Sequence, residues 1–97
     1  MKVFVIVHGG VQGVGFRGYC RRLANQLKIN GLVKNASDGT VLLFLEGKSD
    51  AIEEIITLLK NCVWATVEKV EVFREGEKGF QPAWRNYCGF EIDYVDF

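Results

Sequence analysis

The chain lacks most of the devices by which a small protein is held together or charged from outside its own core. It has one proline, Pro82, one histidine, His8, and three cysteines in 97 residues. Cys20, Cys62 and Cys88 are odd in number and widely spaced, with no Cys-x-x-Cys pair. A zinc site is therefore not expected. A Cys62 to Cys88 bridge stays open on sequence alone, although a reducing compartment disfavours it. Charge of one sign is also missing, since 12 Lys and Arg balance 12 Asp and Glu. Without a basic excess, extended contact with nucleic acid has little electrostatic support. No apolar run approaches the length that spans a bilayer. The five apolar residues before His8, behind a single lysine, are too few for a signal peptide. A cytoplasmic location without membrane association is the expectation.

What is present is an ordinary globular composition, 48% apolar and 25% charged, and enough chain, residues 1–97, for one domain with a single core. Val3 to Val7 has no polar alternate and is rich in β-branched residues, which predicts a central strand covered on both faces. Phe16, Tyr19, Cys20, Leu23, Ala24 and Leu27 share one helical face, opposite Arg21, Arg22, Asn25 and Gln26. Cys20 lies on that apolar stripe and reads as a small buried hydrophobe. The helical pattern fades near Lys28, and Gly31 marks a break. Leu32 to Ala36 and Thr40 to Glu46 flank Ser37-Asp38-Gly39, an Asp-Gly hairpin signal.

A second helix follows Gly47 to Asp50, where Asp50 and Glu53 have the spacing of a capping box worth roughly 1 kcal/mol. Ile52, Ile55, Ile56 and Leu59, extended to Val63, form its buried stripe. Val67 to Arg74 reads as a fourth strand whose alternation slips near Glu68 and Lys69, the mark of a bulge. Glu75 to Asn86, with Pro82, reads as a loop. Phe90, Ile92 and Tyr94 alternate with Glu91 and Asp93 in a last strand with one wet face. The order predicts an α+β, ferredoxin-like βαββαβ sandwich: an antiparallel sheet of four to five strands with two helices on one face.

Between the first strand and the first helix lies Val7-His-Gly-Gly-Val-Gln-Gly-Val-Gly-Phe-Arg17. Its four glycines let the backbone reach positive φ and turn N–H groups toward one point. A helix starting directly after adds unpaired N–H groups and a positive dipole end. Arg17, in the first turn, can add a forked pair of charge-assisted bonds. Such a joint suits an oxyanion, although a tight turn alone also explains glycines, and neither a Walker-type loop nor Gly-x-Gly-x-x-Gly is present. In the expected topology the first and second strands run the same way, so Asn35, near the end of the second strand, comes to the same edge as the glycine loop. If Val33 faces the core, period two turns the Asn35 amide to the helix side.

These residues resemble the acylphosphatase family. Val7, Gly9, Val11, Gln12, Gly13, Val14, Phe16 and Arg17 fit its first signature, V-x-G-x-V-Q-G-V-x-F-R. Gly31, Val33, Lys34, Asn35, Gly39, Val41 and Gly47 are in register with its second. The resemblance implies hydrolysis of the mixed anhydride of a carboxyl phosphate, without metal or cofactor, and a small-molecule acyl phosphate as partner. It further implies that Gln12, Gly13, Val14, Gly15, Phe16 and Arg17 bind the substrate phosphate, that Arg17 and Asn35 are the catalytic pair, and that Asn35 orients the attacking water. Phosphate or sulfate is then an expected inhibitory anion, and a monomer the expected state. The chain departs from the family pattern at Lys28, usually glycine, at Leu32, usually aromatic, and at Asn61-Cys62, usually Gly-Pro. A different cap for the first helix is the expectation at Lys28.

Other residues have blander readings. His8 is the one histidine and lies beside the loop, which invites a proton-transfer reading, yet a hydrogen-bonded histidine at a strand end is the better expectation. Asp38 is expected to make an Asx-type bond in its turn. Arg21 and Arg22 fit a solvated helix face as well as a source of positive potential. Trp64, Phe80 and Trp84 are candidates for an aromatic patch around the long loop, or for core. Two further functions stay in view. One is an acylphosphatase-like module that binds acyl phosphate or carbamoyl phosphate without hydrolysis, as in larger hydrogenase-maturation proteins; the end of the chain soon after the last strand favours a free-standing enzyme. The other is an RNA-binding ferredoxin-like sheet, which the neutral charge and the missing RNP-type motif disfavour.

Overall fold

Val3, Val5 and Val7 are fully buried and Phe4 nearly so, as a strand without polar alternates requires. The computed structural model describes residues 1–94. In it this segment is the middle of β1, Lys2–Gly10, followed by α1, Phe16–Leu27, β2, Asn30–Asn35, β3, Val41–Glu46, α2, Ser49–Lys60, β4, Thr66–Arg74, and β5, Phe90–Asp93. One five-stranded sheet has the order β4-β1-β3-β2-β5. β3 is antiparallel to both β1 and β2, and β4 is antiparallel to β1. This is the expected βαββαβ ferredoxin-like sandwich. The added β5 departs from the antiparallel pattern: it runs parallel to β2, with Gly31 opposite Phe90 and Lys34 opposite Asp93.

Alternation sorts the two faces. Val3, Val5, Val7, Val33, Val41, Leu43 and Leu45 meet Phe16, Cys20 and Ala24 of α1 and Ile52, Ile55, Ile56 and Leu59 of α2 in one core. Phe4, Leu32 and Phe44 point the other way and are also buried. Phe4 stacks on Phe73 near the end of β4, and Phe44 is covered by the chain after β4, 6.3 Å from Phe80 and 5.9 Å from Tyr87. The Tyr87 hydroxyl donates to Glu46. Residues 75–89 form the expected loop, with no helix or strand.

Several expectations are corrected by this packing. The face of β5 expected to be wet is covered: Asp93 is buried, accepting from Trp84 Nε1 at 2.9 Å. Trp64, Phe80 and Trp84 do not form one patch. Trp64 packs on Phe16 and Tyr19 beside α1, Phe80 on Phe44 across the sheet, and Trp84 beneath Lys34, 4.5 Å from its ring centroid to Nζ. No capping box forms, because α2 begins at Ser49 and Asp50 already lies inside the first turn, bonded to Ala51 N–H. Glu53 instead pairs with Arg74 at 2.8 Å. Val63 lies beyond the helix and is exposed. The three cysteines are free; Cys62 precedes β4 and Cys88 precedes β5, the two opposite edges of the sheet.

The expected bulge is present, and the expected change of helix cap is not. Between His8 and Gly9 the β1–β4 register shifts, so that Lys69 faces His8, Val67 faces Gly9, and Glu68 is the extra residue. Gly9 has φ 129°, and a Cβ there would come within 2.1 Å of the Thr66 carbonyl oxygen. The bulge thus requires glycine just where β1 leaves the sheet for the loop. At the end of α1, Lys28 adopts the left-handed conformation, with Lys28 N–H on Asn25 C=O and Ile29 N–H on Ala24 C=O. The helix therefore keeps a glycine-type Schellman ending rather than a different cap, with lysine in the strained position.

Replacing Lys28 by glycine removes a Cβ from a left-handed position, which for non-glycine residues costs roughly 1–2 kcal/mol, against a smaller loss through the unfolded chain. Lys28→Gly is expected to raise stability by about 0.5–1 kcal/mol in urea unfolding. Tyr87 gives a pH prediction. Burial, then its bond to Glu46, pushes its phenol up to about 12. The folded state favours the protonated phenol, so its stabilisation is complete below the unfolded value of about 10 and is lost as pH rises toward 12. Absorbance titration of the tyrosines should show a late ionisation that Tyr87→Phe removes, the Tyr19 phenol being raised by burial as well.

Candidate active site

α1 starts where the glycine loop ends. Gly13 and Gly15 hold φ of 76° and 80°, and a Cβ on either would meet open space. Backbone conformation, not room, is what asks for glycine there. The first α1 bond runs from Tyr19 N–H to Gly15 C=O at 3.1 Å. The N–H groups of Phe16, Arg17 and Gly18 are thus the unpaired first-turn donors. No acid stands in that turn and no side chain caps it, so the positive end of the helix is left for a ligand.

Gln12 turns the other way. Its Nε2 donates to Ala36 C=O at 2.7 Å and to Thr40 C=O at 2.9 Å. These carbonyls stand at the two ends of the β2–β3 turn, which Ala36 N–H closes onto Thr40 C=O at 2.9 Å. Asp38 makes the expected Asx bond inside that turn, accepting from Thr40 N–H at 3.0 Å and Thr40 Oγ1 at 2.6 Å. One glutamine side chain therefore ties the glycine loop to the hairpin that carries Asn35.

A cleft of about 250 Å³ opens where loop, α1, β2 and β5 meet. Gly13, Gly15, Phe16 and Arg17 line it from the loop and helix, Asn35 from β2, Ile92 from β5, and Tyr94 from the residue after β5. Arg17 is half-buried, and its guanidinium lies over the Tyr94 ring, 5.2 Å from the centroid. Among the described residues no carboxylate pairs with it. Asn35 lies on the helix side of the sheet with Val33, and its Oδ1 is buried with no hydrogen-bond partner. Leaving such an atom unmade costs about 1–3 kcal/mol, a cost that a site for a hydrogen-bonding ligand explains.

Of the residues expected to act together, Gly13, Gly15, Phe16, Arg17 and Asn35 share this cleft. Gln12 is engaged with the hairpin, and the Val14 side chain is exposed. Gly18, Arg21, Ile92 and Tyr94 also line the cleft and were not singled out by sequence as cleft residues. Alternation put Ile92 and Tyr94 on one face of a strand, but nothing local specified that β5 would pair beside β2. His8 lies on the far face of the sheet, 2.6 Å from Glu71, away from the cleft. Cys20 is buried in the core, and burial, then the neighbouring Cys62, pushes its thiol far above the ordinary range, so it is no nucleophile. A larger hollow of about 340 Å³ lies between Lys28, Lys48, Asp50 and Glu54; its mixed charges, away from the glycine loop, do not make an anion cradle. Among the described residues no cluster of His, Cys, Asp and Glu could hold a metal, and no helix is long and apolar enough to cross a membrane.

Fold and cleft together define a ferredoxin-like protein in which a glycine loop, a helix N-terminus and an arginine without a carboxylate partner among the described residues share one cleft with an unsatisfied amide. A family model described as Acylphosphatase matches residues 3–92. The chain is 40% identical over 96 residues to an acylphosphatase of Caldivirga maquilingensis, covering 97% of this chain and 95% of that one. It is 37% identical over 91 residues to an acylphosphatase of Archaeoglobus fulgidus, covering 93% and 94%. The crystal structure of acylphosphatase from Bacillus subtilis matches it with a TM-score of 0.78 and 32% identity, over 96% of this chain and 98% of that one. The chain belongs to the acylphosphatase family, and by that homology its activity is acylphosphatase activity.

The tie between loop and hairpin can be tested apart from chemistry. Gln12→Leu removes two donors from carbonyls at the base of the turn, and unfolding in urea should show a loss of about 1–3 kcal/mol. An unchanged midpoint would mean that the loop is held to the hairpin by other contacts.

Proposed function

We propose that residues 1–97 form a single acylphosphatase domain that hydrolyses small-molecule acyl phosphates in the cytoplasm as a monomer, with Arg17 and Asn35 as its catalytic residues. The phosphoryl group sits in the loop, held by backbone N–H groups between Gln12 and Phe16 and by the Arg17 fork. The carrying observation is the buried, unpartnered Asn35 Oδ1 in the same cleft as Arg17.

The chemistry asks little beyond positioning. The leaving group of an acyl phosphate is a carboxylate, so electrostatic stabilisation and alignment supply most of the catalysis. Asn35 Oδ1 accepts a hydrogen bond from water and points its oxygen at phosphorus. The new P–O bond forms as the bond to the acyl oxygen breaks. The electron pair leaves with the carboxylate, and a proton of the attacking water passes to a phosphoryl oxygen. The products are a carboxylate and inorganic phosphate. Arg17, charged throughout, offsets the negative charge on the phosphoryl oxygens. Inorganic phosphate or sulfate, with the same oxygens, competes for the loop.

Two variants separate binding from turnover. Arg17→Ala should lower kcat/KM for acetyl phosphate by about 10³-fold and abolish inhibition by phosphate. Asn35→Ala should lower kcat by about 100-fold or more while phosphate still inhibits. Wild-type turnover in Asn35→Ala would remove the water-holding role. Phosphate binding by the unaltered protein with no hydrolysis of acetyl or benzoyl phosphate would make the domain a binding module instead.

A further inference from the structure

α1 carries three arginines, and they are used differently. Arg22 stacks on Tyr19, 5.9 Å from the ring centroid, and Arg17 on Tyr94. Arg21 is exposed and lines the same cleft as Arg17. It follows Arg17 by four residues, so the two share a helix face about 6 Å apart along the axis. Like charges at this spacing disfavour the helix, and among the described residues no acid offsets them: α1 contains no Asp or Glu, no described acid lines the cleft, and none pairs with Arg21. Elsewhere arginines are neutralised, Arg74 by Glu53 and Arg85 by Glu91, both at 2.8 Å.

One phosphoryl group at the loop is already met by Arg17 and the first-turn N–H groups. Arg21 stands one turn further along α1, and Ile92 and Tyr94 line the cleft with it. We infer that Arg21 binds a second anionic group on the acyl portion, so that this enzyme prefers acyl phosphates whose acyl group carries a carboxylate. Ile92 and Tyr94 flank the carbon segment between the two anions, and the Arg21 fork takes the distal carboxylate in paired hydrogen bonds. The inference rests on the assignment of the phosphoryl group to the loop and Arg17. Bond making and breaking are those of the hydrolysis above, and the distal carboxylate is unchanged by it.

The test compares 3-carboxybenzoyl phosphate with 3-methylbenzoyl phosphate, which differ in the distal charge. The unaltered protein should favour the carboxylate by about tenfold in kcat/KM, expressed in KM. Arg21→Gln should bring that ratio to about one, and Arg21→Lys should restore part of it. Arg22→Gln removes the same charge from the next residue and should keep the full preference. A ratio of one in the unaltered protein, a preference that survives Arg21→Gln, or an equal loss in Arg22→Gln overturns the assignment of Arg21. Hydrolysis of neither compound would overturn the catalytic reading and the inference with it, whereas hydrolysis of both at equal kcat/KM would overturn the inference alone.

Discussion

β3 lies between β1 and β2 and is hydrogen-bonded antiparallel to both, which forces those two strands to point the same way. Their C-terminal ends therefore share one edge of the sheet. The glycine loop leaves one end and Asn35 stands at the other, so the loop and a carboxamide meet although about 20 residues of chain, including a whole helix, separate them. The buried valines and leucines of the helix face hold the pairing in register, because a slip by one residue would turn every side chain to the wrong face. Asn35 would turn with them. The Gln12 amide then fixes the remaining degree of freedom, the approach of the loop to the hairpin.

The charge of the chain is balanced in total but not in place. Away from the cleft, acids answer the arginines of β4 and of the long loop. On α1 the partners of Arg17 and Arg22 are aromatic rings. A ring face holds a guanidinium by cation–π attraction and stacking while leaving its charge and its N–H fork available. A carboxylate in the same place would hold it equally well and cancel it. The cleft thus combines fixed positive groups with apolar walls, a combination that net charge alone does not disclose.

Much of this was legible in the sequence. The glycine spacing with Arg17 marked a strand-to-helix loop with positive-φ glycines, the Asp-Gly turn gave the hairpin, and the stalled alternation at Glu68 and Lys69 marked the bulge. Each signal is local, set by backbone conformation or by period two. Asn35 was placed correctly because topology and alternation together determine its face. What was not legible depends on pairings distant in sequence. Nothing in Phe90 to Tyr94 states that the last strand runs parallel beside β2, and without that pairing neither the place of Ile92 and Tyr94 in the cleft nor the burial of Asp93 can be read. The aromatic residues scattered for the same reason: Trp64, Phe80 and Trp84 are fixed by which surface each segment crosses. The capping pattern at Asp50 failed because the helix starts at Ser49, two residues earlier than a cap at Asp50 requires, and Arg74 claims Glu53. Lys28 shows the converse, a helix ending set by its surroundings against the preference of the residue that occupies it.

The bulge at Glu68 has an effect beyond aiming β1 into its loop. β4 is an edge of the sheet and, at nine residues, a long one, with one row of backbone groups turned outward. A flat edge of that length is a template for another chain. The extra residue breaks the even spacing of those groups, and Glu68 and Lys69 place charges at the break. The irregularity that aims β1 into the glycine loop therefore also makes this end of the edge a poorer template for continuing the sheet.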